Sequence, residues 1–292
     1  MRTDQSGKNE DQQGEVCLNR KELNMELKIN ETCIGCGACA MDCPVGVLAM
    51  EGGRPQVCPD KAERCMDCRH CLAVCPVGAL TINGVSAADC ISAEGLPLPS
   101  AEQMRGLMMV RRSVRQFAPE DLPHERIVEV LETLKCVPTG CNARNLTFRV
   151  VGSRARMDEL RAKVVELLLA KEAELPEFLK APVAAVRKNP ELDPFFRHAP
   201  HLLIVQGDPR TGVTPQVDCD AACAYFDLLA QGSGWGVTWC GFLHIIIDAV
   251  PEVADVFGIP RGTPFYAMMF GVPDVRYART VCRRDGARVE FL

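Results

Sequence analysis

Beyond about residue 100 the chain alternates between stretches with helical spacing of apolar positions and short apolar runs. Residues 123–135 put Ile127, Val130, Leu131 and Leu134 on one face and Glu125, Glu129 and Glu132 away from it, the pattern of an amphipathic helix. Residues 156–174 repeat the pattern with Leu160, Val164, Leu167 and Leu168. Residues 217–231 are apolar on nearly every side, which predicts a helix inside a core rather than on its surface. Short runs at 148–151, 202–205 and 267–270, the last closed by Gly271, predict strands. Helices and strands mixed without regular alternation give α+β as the fold class. Before residue 100 only the alternating stretches 25–29 and 79–82 predict strands, and cysteine organises what lies between them. The expected organisation is a polar, disordered tail at 1–24, a small module at 25–84, a Gly- and Pro-containing linker at 85–104 and a larger domain at 105–292.

The cysteines form two matched runs, Cys33-x-x-Cys36-x-x-Cys39-x-x-x-Cys43-Pro44 and Cys65-x-x-Cys68-x-x-Cys71-x-x-x-Cys75-Pro76. The repeat extends past the sulfurs, since Cys43-Pro44-Val45-Gly46-Val47-Leu48 answers Cys75-Pro76-Val77-Gly78-Ala79-Leu80. A four-iron cube takes one thiolate per iron, and cysteines at every third residue can wrap three of its corners. Structural zinc sites use paired Cys-x-x-Cys hairpins separated by a longer spacer, a poorer match. A secreted disulfide scaffold is normally much shorter than 292 residues. The module resembles the bacterial two-cluster ferredoxins, in which the fourth cysteine of each run ligates the other run's cluster. The resemblance implies two [4Fe–4S] clusters, one held by Cys33, Cys36, Cys39 and Cys75 and the other by Cys65, Cys68, Cys71 and Cys43.

The larger domain opens on Arg111-Arg112-Ser113-Val114-Arg115-Gln116-Phe117. Guanidinium forks bind a phosphate bidentately, and a serine hydroxyl adds a neutral donor. A second stretch runs Pro138-Thr139-Gly140-Cys141-Asn142-Ala143-Arg144-Asn145, and a third Gly232-Ser233-Gly234-Trp235-Gly236-Val237-Thr238-Trp239-Cys240-Gly241. With the segment 193–200 and Gly271-Val272-Pro273 in the same order, the domain resembles the nitroreductase family of flavin enzymes. The resemblance implies FMN. Arg111, Arg112, Ser113 and Arg115 would hold its phosphate and ribityl chain, joined by the late basic residues Arg279 and Arg283. Pro138, Thr139, Gly140 and Asn142 would meet the ring from the partner subunit of a homodimer, and Trp239, Cys240 and Gly241 would pass over it. The chain departs from the family pattern at Arg144, Asn145 and Leu146, where Gln, Pro and Trp are frequent, and this bears on the choice of substrate.

Seventeen cysteines, eight of them needed as thiolates, fit a reducing cytoplasm. No apolar run reaches the ~18 residues of a membrane span, and the start of the chain has no signal-peptide pattern. A net charge of −5 offers nucleic acid no electrostatic support. No G-x-G-x-x-G follows a strand, so a Rossmann dinucleotide site is not expected. Cys219 with Cys223, and His198 with His201, read as buried packing residues rather than a third metal site. Cys141 and Cys240 read as packing positions near the ring, and His70 as a residue that tunes a cluster or faces solvent. No catalytic acid or base is named. The expected activity is an FMN-dependent oxidoreductase that draws electrons from ferredoxin or another low-potential donor, with NAD(P)H as the alternative, and reduces a small nitro, quinone or enone acceptor. The alternative is an electron-transfer or redox-sensing module whose flavin domain binds a ligand without turnover.

Overall fold

A computed structural model describes residues 25–282 and 284–292. The expected tail at 1–24 and Arg283 lie outside the described residues. The chain divides into two compact units. The first holds residues through Leu98 together with Thr139–Ala143 and Arg210–Val213, and the second holds the remainder.

In the first unit the elements run β1 (Leu27–Ile29), α1 (Ala38–Met41), β2 (Leu48–Glu51), β3 (Arg54–Val57), α2 (His70–Ala73), β4 (Leu80–Ile82) and β5 (Val85–Ser86). β1 pairs antiparallel with β4, Leu27 facing Ile82 and Ile29 facing Leu80, so the ends of the cysteine repeat are closed into one sheet. β5 adds to β4 inside the stretch read as linker. β2 and β3 form a hairpin between the two runs that the apolar pattern did not predict. A small core of Cys39, Leu48, Cys71, Leu72, Leu80 and Ile82 lies under the runs.

The second unit contains α3 (Ala101–Val110), α4 (His124–Thr133), β6 (Leu146–Val151), α5 (Arg154–Ala170), α6 (Glu177–Lys188), β7 (His201–Gly207), α7 (Pro215–Gly232), β8 (Gly236–Trp239), α8 (Gly241–Ala249), α9 (Glu252–Val256) and β9 (Phe265–Gly271). α3 starts inside the expected linker because Ser100 and Gln103 form a reciprocal capping box, each side chain accepting the other's backbone N–H. The four strands are antiparallel in the order β6-β7-β9-β8. Alternation along β7 and β9 divides the apolar side chains between two layers. Leu202, Ile204, Ala267 and Met269 face the core shared with α5, α6 and α8. Leu203, Val205, Met268 and Phe270 face the core shared with α4 and α7. α7 is less uniformly apolar than its sequence reading, with Asp218 and Asp227 buried while Val217 and Tyr225 are exposed.

Buried His201 ties this unit together. Its Nε2 accepts the Leu122 N–H at 2.8 Å, its Nδ1–H donates to the Val151 carbonyl at 3.2 Å, and its ring stacks on Phe270. Burial lowers its pKa, so the neutral ring is the form that fits both bonds.

Candidate functional site

Each cysteine run turns through left-handed backbone at matching places. In the first run these are Gly35, Gly37 and Gly46, and in the second Asp67, Arg69 and Gly78. Asp67 tolerates the conformation with its carboxylate accepting from Arg69 Nη2 at 3.2 Å and Asn83 Nδ2 at 3.0 Å. Gly35 has no such freedom, because a Cβ there would collide with the Gly53 carbonyl at the tip of the β2–β3 hairpin.

These turns gather the thiols into two recesses. One is lined by Cys65, Cys68, Cys71 and Cys43 with Met25, Leu48, Asp67, Arg69 and His70. The other is lined by Cys33, Cys36, Cys39 and Cys75 with Ile34, Pro55, Val77 and Leu80. Each recess thus takes three sulfurs from one run and the fourth from the other. The Val47 N–H donates to Cys43 Sγ and the Ala79 N–H to Cys75 Sγ, both at 3.3 Å, so each fourth sulfur keeps the same backbone donor four residues on. Burial raises the thiol pKa of Cys39 and Cys65 and brings Cys71 to about 11, with neighbouring sulfurs adding to the shift. Such thiols become thiolates when a cation is present to stabilise the charge. Among the described residues no three His, Cys, Asp or Glu side chains close on a point as around a single ion. The four cysteines that line each recess are the donor set a four-iron cube with one thiolate per iron would take. His70 stands at the rim with its Nδ1 3.3 Å from the Asp42 carboxylate.

In the second unit the Arg111–Phe117 segment lies along β8. The Val114 N–H donates to the Val237 carbonyl at 2.9 Å, Thr238 Oγ1 donates to the Val114 carbonyl, and Ser113 bridges Val237. A Cβ at Gly236 would meet the Val114 side chain at 2.7 Å, so glycine permits this approach. Arg111, Arg112, Ser113 and Arg115 are thereby placed in the segment beside the strand that ends at Trp239, with Cys240 and Gly241 following it. Arg111 Nη1 lies 3.3 Å from Asp227 Oδ2 on α7, and the same oxygen accepts from Trp239 Nε1 at 3.1 Å. Burial raises the Asp227 pKa, and Trp239 and Arg111 oppose the shift. Sequence reasoning missed Asp227 because an aspartate on an apolar helix carries no motif. Arg112 donates to the Arg111 carbonyl at 2.6 Å and Arg115 to the Ser113 carbonyl at 3.2 Å, leaving further guanidinium N–H groups for an anion. Cys240 is buried, and desolvation pushes its thiol up to about 12, so it is a neutral packing group.

The other expected residues are placed differently. Pro138 is in the second unit, while Thr139, Gly140 and Asn142 group with the first. Asn142 Nδ2 donates to the carbonyls of Met66 and Asp67, at 3.0 and 3.2 Å, in the loop between Cys65 and Cys68. Arg279 is exposed in the C-terminal stretch after β9, and Arg283 lies outside the described residues. Cys219 and Cys223 are buried in α7, where desolvation raises both thiols, consistent with packing.

Residues 108–272 match the nitroreductase family, more than half of the chain. The chain belongs to the nitroreductase family. Residues 32–79 match the 4Fe-4S dicluster domain, so this nitroreductase carries an N-terminal iron–sulfur module of ferredoxin type. A Methanothermobacter thermautotrophicus protein whose name pairs NADH dehydrogenase with NAD(P)H nitroreductase is 25% identical over 170 residues, 56% of this chain and 73% of that protein. Among solved structures, a Bacteroides fragilis nitroreductase with bound FMN aligns with TM-score 0.51 and 21% identity, covering 64% of this chain and 99% of that one. A Desulfitobacterium hafniense nitroreductase with bound FMN aligns with TM-score 0.50 and 21% identity, covering 64% and 98%. The nitroreductase-like α+β fold is that of an oxidoreductase, and among the described residues no helix is long and apolar enough to cross a membrane.

Proposed function

We propose that the chain is a cytoplasmic, homodimeric iron–sulfur flavoprotein that passes electrons through two [4Fe–4S] clusters to FMN and on to a small nitro, quinone or enone acceptor. The observation that carries this reading is the division of eight thiols into two recesses of four, each completed by a cysteine from the other run. Clusters supply single-electron transfer, and a flavin supplies a pair to an organic acceptor.

The protein's own part is to bind, orient and shield. Cys33, Cys36, Cys39 and Cys75 would hold one cluster, and Cys65, Cys68, Cys71 and Cys43 the other. Arg111, Arg112, Ser113 and Arg115 would grip the flavin phosphate, with Arg279 and Arg283 as late basic contributors. Trp239, Cys240 and Gly241 would wall the ring, and Pro138, Thr139, Gly140 and Asn142 would approach it from the partner subunit. Both FMN-bound relatives support the cofactor, and exposed Val217 and Tyr225 on α7 suit a dimer contact. The module at 25–84 would receive electrons from ferredoxin or another low-potential carrier, with NAD(P)H as the alternative donor, and the domain at 105–292 would deliver them.

Anaerobically prepared protein is expected to hold about eight irons per chain and to release FMN on denaturation. Arg111→Ala and Arg115→Ala should each weaken FMN binding by roughly ten- to a hundredfold, the equivalent of a lost charge-assisted bond of about 1.5–3 kcal/mol. Unchanged FMN retention in both would move the phosphate site elsewhere. Photoreduced protein that no nitro, quinone or enone compound reoxidises would favour the sensing alternative.

A further inference from the structure

The internal repeat provides a position-by-position control. Ile34 answers Met66, Gly35 answers Asp67, and Cys36 answers Cys68. Ile34 is 66% exposed and Cys36 is exposed, whereas Met66 and Cys68 are half-buried. The carbonyls of Met66 and Asp67 receive the Asn142 amide. Among the described residues no hydrogen bond reaches the carbonyls of Ile34 or Gly35. We infer that the Cys33–Cys39 loop, rather than the Cys65–Cys71 loop held by Asn142, is the port at which a protein one-electron carrier docks. This rests on the iron–sulfur reading above, because it ranks the two sites that reading assigns.

The chemistry of the port describes its partner. Electron exchange between proteins needs close approach, and Cys36 is the exposed sulfur of its recess. Around it Ile34 and Val77 line the recess, and Val77 is 40% exposed. Exposed Met41 ends the short helix that carries Cys39. Glu31 and Glu51 are exposed carboxylates on the flanking loop and hairpin, where Arg54, in register with Glu51, donates to the Asn30 carbonyl at 3.3 Å. An apolar centre whose flanking segments carry two exposed carboxylates against one guanidinium fits a carrier whose cofactor edge is apolar and ringed by basic side chains. Each docking event oxidises the carrier by one electron and reduces the chain by one. Two events supply the pair that an acceptor takes up with two protons from water.

The same port can be read in reverse with a lysine-rimmed c-type cytochrome as probe. Full-length holoprotein, reduced with dithionite and freed of excess reductant, is mixed with oxidised cytochrome, and one haem iron is reduced per electron given up. Iron content, cluster spectra and the dissociation constant of the oxidised pair are measured for every variant. Ile34→Lys and Glu31→Lys should each weaken binding and slow transfer by about tenfold, with a flatter salt dependence. Glu63→Lys, the mirror position before Cys65, should leave both unchanged. An equal or larger effect from Glu63→Lys, or none from Ile34→Lys, overturns the assignment. Conversion of a dimer to a monomer by Ile34→Lys would overturn it too, by making this face a contact between copies. Wild-type protein without iron would instead sink the underlying reading, and iron content distinguishes the two failures.

Discussion

The two cysteine runs share ligand spacing and left-handed backbone at the same three places, yet they meet the requirement with different residues. The first run uses glycine at all three, whereas the second uses Asp67 and Arg69 before Gly78. A left-handed L-residue costs about 1–2 kcal/mol, and Asp67 is compensated by bonds to Arg69 and Asn83. At Gly35 no compensation is available, since the Gly53 carbonyl occupies the space a side chain would need. The wrapping of a cluster thus fixes the backbone, and the neighbours of each loop decide which residues can adopt it.

Removing the crossed ligands should produce the largest effect. Cys43→Ala is expected to cost the cluster of the second run and Cys75→Ala that of the first, each variant keeping about four of eight irons. Iron analysis combined with electron paramagnetic resonance would distinguish the clusters, and loss of the near cluster in either variant would disprove the crossing. Gly35→Ala should lower the stability of the first run by more than about 1–2 kcal/mol, since collision adds to backbone strain. Arg69→Gly, which gives the second run the glycine that the first run has at the matching Gly37, should be tolerated, and thermal loss of cluster absorbance would compare the two.

A third probe touches neither run. Protonated His201 would turn a second N–H against the Leu122 N–H, and burial already lowers its pKa. A lowered folded pKa means that the unfolded chain binds the proton more readily. The stability is therefore fully present above the ordinary value of about 6.5 and is lost as pH falls through the folded value. His201→Gln should flatten that acid limb and cost about 1–3 kcal/mol at neutral pH, as read from denaturant midpoints across pH. The smallest effect is expected from Asn142→Ala, about 1 kcal/mol. It should loosen the second run alone, visible as faster cluster loss there under chelator; equal loss from both runs would remove the asymmetry between them.

Much of this was legible in the chain. The eight ligands, the repeat, the bounding strands β1 and β4, and α4, α5, α7, β6, β7 and β9 of the larger unit announce themselves through spacing. The β2–β3 hairpin did not, because Pro55 sits in a strand and glycines occupy its turn. α3 was hidden because Met108, Met109 and Val110 leave no polar face to show its period, and only the Ser100–Gln103 box marks its start. Asp227 was invisible for a different reason. Its role depends on Arg111 and Trp239, which stand 116 and 12 residues away in sequence.

The sequence by itself determined the α+β class, the cysteine chemistry and the basic segment that opens the larger domain, because each is written in residue types at short, fixed intervals. Only the tertiary structure decided which cysteine completes which recess in this chain, which loop is open and which is held by Asn142, and which carboxylate orients Arg111. Those outcomes depend on contacts between residues far apart in the chain, and such contacts follow from packing rather than from any local period.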